Sequence, residues 1–246
     1  MAVVIESLFP EFGNQGGDNG NMMYLKASLP DAEFVETSFS DEPAFVTRDV
    51  SFVYMGYMTE AEQEKVAAKL KPYRARLEQL VEQGCVMLFT GSAAELLGTS
   101  ITLANGRVIE GLGLFDFTVT QDLSERIAEV FLGSFEPAGA ADPIDIVGYK
   151  IQFTQAQGDN AEEGFCTAKV GFGLNRRSRI EGFRRGNLFA TWLCGPLLPL
   201  NPLFTEYLMT LVTGEQGRSA AFREEALAAY RKRVEEFKTP GIKMPI

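Results

Sequence analysis

Residues 85–101 read CVMLFTGSAAELLGTSI. A short strand, Val86–Thr90, is apolar up to Phe89 and runs into a small-residue turn at Gly91-Ser92. A helix start carrying Glu95-Leu96-Leu97-Gly98 follows. An uninterrupted apolar run of this length is the pattern of a strand buried on both faces. Strand, tight turn and helix together outline a nucleophile elbow, which lifts a Ser or Cys side chain into a cleft beside a His base. Here the tip of the turn is Gly91, and the chain contains no histidine. The outline of an enzyme is present without the groups that usually do its chemistry.

Working outward, apolar strands alternate with amphipathic helices. Residues 3–8 predict a buried strand, followed by a Gly/Asn-rich turn and a helix over 22–29. Further strands are expected at 34–38 and 50–55. Thr59 with Glu62 three residues on forms a capping box for a helical stretch, 60–83, that Pro72 kinks or splits and Gly84 closes. The second half is richer in strands, at 114–120, 128–132, 144–154, 167–171 and 187–193. Helices are expected at 203–213 and 219–237, with a Pro-containing tail over the last nine residues. This alternation predicts an α/β fold of three layers, flavodoxin-like, with a mostly parallel central sheet flanked by helices. No repeat and no Gly/Ser linker divides the chain. One domain is expected over 1–214, with 215–246 as a C-terminal helix and tail packed on it. Ligand sites in such sheets gather at the carboxyl ends of the strands, where Gly56, Tyr57, Met58, Gly91 and Cys194 all fall.

Composition narrows the function classes. A net charge of -10 argues against nucleic acid or an anionic membrane as partner, because phosphate affinity needs clustered cations. The one basic run, Arg176, Arg177, Arg179, Arg184 and Arg185, reads first as a solvated loop face. Three cysteines, an odd number with no CxxC spacing, predict neither a disulfide framework nor a structural metal. No cofactor motif is present. With no signal-peptide pattern and no membrane-length apolar stretch, a cytoplasmic protein is the simplest expectation.

Six segments in register resemble the class I glutamine amidotransferases of the cobyric acid synthase type. LFPEFGNQGGDNGN is similar to the family's G-D-x-G-N opening, here Gly17, Asp18, Gly20 and Asn21. FVYMGYMTEAEQ resembles its oxyanion strand, GCVMLFTGSAAELLG its elbow, and VIEGLGLFDF the segment after it. VGYKIQFT resembles the G-Y-E-x-H segment, and EGFRRGNLFATWLCGPLLPLNP the closing stretch. Within the family the nearest pattern is that of glutaminase subunits serving a Mur-ligase-like synthetase that amidates lipid II.

The resemblance implies an elbow Cys that attacks the glutamine side-chain amide, a His that shuttles the proton, and glycine-turn N–H groups that hold the oxyanion. Carried over position by position, the nucleophile position is Gly91 and the base position Cys194. The oxyanion turn becomes Gly56, Tyr57 and Met58, the elbow Gln becomes Glu95, and the final His of G-Y-E-x-H becomes Gln152. Arg126 is the match for the arginine that holds the glutamine carboxylate. Losing one member of a nucleophile–base pair costs orders of magnitude in rate; both are lost here, so glutaminase activity by the family route is not expected.

Three readings stay open. The first is an inactive homologue that keeps a partner or regulatory role toward a Mur-ligase-like synthetase. The second is an amino-acid binding module in the old glutamine pocket, held by Arg126. The third is a hydrolase with a replaced nucleophile, using Ser92 with Glu95 as base, or the Cys194 thiol. Against it, Ser92 and Cys194 read as small residues filling space. Cys85, Phe183, Phe189, Trp192 and Phe204 read as packing residues. Tyr57 and Met58 are candidates to fill the pocket themselves.

Overall fold

The computed structural model describes residues 2–139, 142–239 and 241. Four strands open the chain: β1 (Val4–Leu8), β2 (Glu33–Thr37), β3 (Phe52–Met55) and β4 (Val86–Thr90). Between and after them lie α1 (Gly20–Ser28), α2 (Ala44–Thr47), α3 (Glu60–Leu70), α4 (Arg74–Glu82) and the single turn α5 (Ser92–Glu95). Eight further strands follow: β5 (Ser100–Thr102), β6 (Val108–Glu110), β7 (Phe117–Gln121), β8 (Ile127–Phe135), β9 (Ile144–Gln152), β10 (Thr154–Gly158), β11 (Cys166–Val170) and β12 (Ile180–Glu181). The chain then returns through β13 (Phe183–Arg185) and β14 (Leu188–Thr191) to α6 (Leu197–Leu200), α7 (Pro202–Thr213) and α8 (Arg223–Glu236).

The central sheet has the order β13-β14-β4-β3-β1-β2. All its pairings are parallel except β13 on β14 at the edge. The order 2-1-3-4 followed by β14 is the flavodoxin-like order, with a long β-rich excursion inserted before the fifth strand. Strand order reverses at β1, so the switch-point crevice opens beyond the ends of β1 and β3.

Period-2 alternation sorts each strand between two cores. Val53, Met55, Met87 and Phe89 face the layer of α3 and α4, packing with Val66, Leu70, Leu77 and Leu80. Phe52, Tyr54, Val86 and Leu88 face the opposite layer, with Met22 and Leu25 of α1 and Phe204 and Leu208 of α7. The three-layer expectation is met.

The later strands do not extend the parallel sheet. They form two further four-stranded sheets, β10-β7-β5-β6 and β12-β11-β8-β9. Short connections bring consecutive strands back antiparallel, whereas a parallel return needs a dozen or more residues of crossover. The long β8–β9 pair runs antiparallel from Ile127↔Gln152 to Phe135↔Ile144. The strand expected over 144–154 is therefore two strands broken at Phe153, and β5, β6, α2 and α6 are too short for periodicity to reveal.

Pro72 divides the expected 60–83 helix through a tight turn over Lys71–Tyr73. The capping box forms at the start of α3: the Glu62 carboxylate accepts from the Thr59 N–H at 2.9 Å and its hydroxyl at 2.7 Å. Replacing Glu62 by Ala is expected to cost about 1 kcal/mol in urea unfolding.

Four of the five arginines of the basic run are bound to the protein itself, and Arg177 is exposed. Arg176 pairs with Glu125 at 2.7 Å and Arg185 with Glu163 at 2.6 Å. Arg184 donates to the Tyr207 hydroxyl and lies 4.9 Å above the Phe135 ring. Beyond α7, α8 packs on the β8–β9 sheet, burying Leu227 and Tyr230 against Leu132 and Val147, and the Tyr230 hydroxyl donates to Asp145 O at 2.8 Å. Most of the expected C-terminal tail, residues 240 and 242–246, lies outside the described residues.

Candidate functional site

The site is built on the Gly-Asp-x-Gly-Asn turn between β1 and α1. Asp18 is buried, and its carboxylate accepts from the Thr90 hydroxyl at the end of β4, the Tyr57 N–H at 2.9 Å and the Asn21 amide at 3.2 Å. Asn21 also donates to the Tyr54 hydroxyl at 2.8 Å and accepts from the Leu198 N–H at 2.7 Å. One motif thus ties the ends of β3 and β4 to the start of α6. Burial pushes the Asp18 carboxyl above its ordinary value, while its hydrogen bonds pull the other way.

After β4 the chain turns at Gly91 with φ 58° and ψ -134°, a conformation that residues with side chains rarely adopt. The elbow therefore has its expected shape. The space above it is occupied. A Cβ placed on Gly91 would lie 2.7 Å from both Cβ and Cγ of Tyr57 and 2.9 Å from Cδ2. The Tyr57 hydroxyl donates to Ile151 O of β9 at 2.9 Å, which pins the ring over the turn. Burial pushes the Tyr57 phenol up to about 12, so it stays neutral.

The oxyanion turn is also committed internally. The Tyr57 N–H is taken by Asp18, and the Met58 N–H donates to Ser92 Oγ at 2.9 Å. Ser92 in turn donates to Met58 O at 2.6 Å. Its hydroxyl is satisfied on both sides by one backbone residue and bonds to no carboxylate. Gly56 is held to glycine by close approach, since a Cβ there would meet Gly13 O at 2.2 Å.

Glu95 lies at the bottom of the site, wholly buried. It accepts from the Gln63 amide at 2.7 Å, the Trp192 indole N–H at 3.1 Å and the Thr154 hydroxyl. Burial raises its carboxyl above the ordinary range against these three hydrogen bonds. Gln152 completes the wall, donating to Thr154 O at 2.7 Å. Between them remains a cavity of about 20 Å³, lined by Tyr57, Met58, Gly91, Ser92, Glu95 and Gln152 among others. That is room for one water-sized particle.

Six of the sequence-predicted residues therefore meet in one place. Cys194 does not line the cavity: its thiol donates to Tyr149 O at 3.2 Å, in a two-residue bridge between β9 and the chain after β14. Burial, then the Asp18 charge, push it up to about 12, the opposite of an activated thiol. Alkylation of Cys194 in the native protein is expected to be negligible over hours at pH 8 and complete after denaturation, as mass spectrometry would show. Arg126 is exposed and outside the lining. Trp192, expected to be packing alone, is a hydrogen-bond donor in the cavity wall.

Sequence reasoning missed Gln63 and Thr154, and also a buried ion pair behind the site. Lys150 Nζ lies 2.9 Å from Glu181 Oε2, both out of solvent, and donates to Gly173 O. The other Glu181 oxygen accepts from the Thr191 hydroxyl at 2.7 Å and the Trp192 N–H at 2.9 Å. This pair fixes the backbone that carries Trp192. Lys150 inside the VGYKIQF segment was the available signal, since a lysine in a strand of alternating burial needs a buried partner.

The chain is 26% identical over 208 residues to the lipid II isoglutaminyl synthase (glutamine-hydrolyzing) subunit GatD of Staphylococcus aureus, covering 83% of this chain and 82% of that one. It is 24% identical over 211 residues to the subunit of the same name from Streptococcus pneumoniae, covering 84% and 78%. It is a GatD-like chain of class I glutamine amidotransferase type. No family model matches the sequence. Among solved structures, PurLQS from Thermotoga maritima superposes on the GatD-like chain with a TM-score of 0.55 at 13% identity, over 95% of this chain and all of that one. The glutaminase domain of Trypanosoma brucei CTPS gives 0.53 at 10% identity, over 90% and 99%. These structures speak to the fold, which is that of class I glutamine amidotransferases. Among the described residues, no helix is long and apolar enough to cross a membrane, and no His/Cys/Asp/Glu cluster suited to a metal is present.

Proposed function

We propose that this GatD-like chain is a catalytically inactive glutaminase homologue that serves as a partner or regulatory subunit of a cytoplasmic Mur-ligase-like synthetase. The Tyr57 ring seated where a side chain at Gly91 would project carries the reading. The nucleophile position has no reacting atom, and the space into which a side chain there would project is filled. The oxyanion-turn N–H groups of Tyr57 and Met58 are spent on Asp18 and Ser92. The relatives are named as subunits of a synthase, which supports retention of a docking role.

The other two readings are less well supported. A cavity of about 20 Å³ is far below the several hundred Å³ of an ordinary ligand pocket, and Arg126 does not reach it. Ser92 and Cys194 both lack a base, and both give their protons to backbone carbonyls.

The test is ammonia release from glutamine by the purified protein and two variants. The natural protein and Gly91→Cys/Cys194→His are expected to be inactive, the latter because Tyr57 blocks residue 91. Adding Tyr57→Gly is the change expected to admit substrate. Glutamine hydrolysis by the natural protein would overturn the proposal. Co-purification with a ligase subunit from the native host is the positive expectation, and a lone monomer in every fraction would count against it.

A further inference from the structure

We propose that the small cavity beside Gly91 binds one monovalent cation of ammonium or potassium size, held by Glu95 and Gln63. The proposal stands whether or not the chain hydrolyses glutamine.

The first observation is an orphaned acceptor. Gln63 is wholly buried in the cavity wall, and its Nε2 donates both to Ser92 O at 2.8 Å and to Glu95 Oε2 at 2.7 Å. Those two acceptors fix the amide orientation, because a flipped amide would set its oxygen against both. Gln63 Oε1 is left buried with no hydrogen-bond partner. A buried unsatisfied acceptor costs about 1–3 kcal/mol, so the wall lacks a donor or a positive charge.

The second observation concerns charge. The Trp192 indole N–H and the Gln63 amide can only donate, and they donate to different Glu95 oxygens. The Thr154 hydroxyl donates as well. This pattern of three convergent donors fits an ionised carboxylate. Yet none of the twelve residues lining the cavity is Lys or Arg. A buried carboxylate without a counter-charge is costly, and a bound cation removes that cost. A water would satisfy Gln63 Oε1 but leave the charge of Glu95 alone. Burial raises the Glu95 carboxyl, so a proton competes with a cation for this site and the cation is favoured toward high pH.

Size and ligand set choose the ion. Room for one water-sized sphere suits ammonium or potassium, which have nearly the radius of water. A divalent ion calls for a cluster of carboxylates, and no such cluster is present among the described residues. The exposed carboxylate of Glu60 stands on the outer wall, where it draws cations toward the mouth.

Thermal unfolding of the purified chain at pH 8 in ammonium, potassium, rubidium, lithium or tetramethylammonium chloride, at constant ionic strength, tests this. Ammonium, potassium and rubidium are expected to raise Tm by about 3 °C at tenfold their Kd, with lithium and tetramethylammonium inert. Saturation at lower concentration with ammonium than with potassium identifies the ion as ammonium, and the reverse order identifies it as potassium. Glu95→Gln is expected to abolish the ion dependence. Since that variant could fail to fold, rubidium-soaked crystals of the natural protein provide a second readout, an anomalous peak within 3.5 Å of Glu95. Identical melting in all five salts, or a cavity holding only water in the rubidium crystal, overturns the proposal.

Discussion

Gly91→Ala is expected to destabilise the protein by about 2–6 kcal/mol, a large part of the stability of many domains. Two costs add. A side chain at φ 58°, ψ -134° carries backbone strain of about 1–3 kcal/mol. Its Cβ also falls 2.7 Å from two Tyr57 carbons, and overpacking of that kind costs about 1–3 kcal/mol. The two separate in a double-mutant cycle: combining Gly91→Ala with Tyr57→Ala should recover the packing share and leave the strain, a coupling of about 1–3 kcal/mol. Urea unfolding of the four proteins measures it. If Gly91→Ala alone loses less than about 1 kcal/mol, Tyr57 moves aside freely, and its role as a fixed plug is wrong.

Lys150→Met is expected to cost about 3–5 kcal/mol, because it leaves the Glu181 charge buried and uncompensated. Adding Glu181→Gln should restore part of that loss. The amide oxygen can still accept from the Thr191 hydroxyl and the Trp192 N–H, and no charge remains to be desolvated. Trp192 is the only tryptophan in the chain, so its fluorescence reports both global unfolding and the local wall of the cavity. The single variant should shift its emission in the native state, and the double variant should return it toward that of the natural protein. Equal stability of all three would mean that the pair is not what fixes the Trp192 backbone.

The first half of the fold was legible because β1, β3 and β4 are buried along their whole length and α3 and α4 carry clear helical signals. Val86–Thr90 and the capping box of Thr59 and Glu62 are local signals, and each formed where it was expected. The pairing of β5 through β12 was not legible, since short strands of similar composition do not say which neighbour they choose. Within the site, chain position found Gly91, Ser92, Glu95 and Gln152, because they belong to motifs. It does not reveal the partner of Cys194, whose thiol turns to Tyr149 O across a β-bridge, a tertiary contact that spacing does not encode. Gln63 and Thr154 were missed for the same reason. Each is an ordinary polar residue in an ordinary element, and only folding brings its amide or hydroxyl to Glu95.

The Tyr57–Gly91 contact constrains the order in which such a chain can change. The tyrosine pose is available only to a chain that has glycine at the elbow. A cysteine placed at 91 is penalised until residue 57 shrinks. Shrinking residue 57 first loses the hydroxyl bond to Ile151 O and opens a void. Each single change costs stability by itself, so the contact works as a latch that only the paired substitution releases.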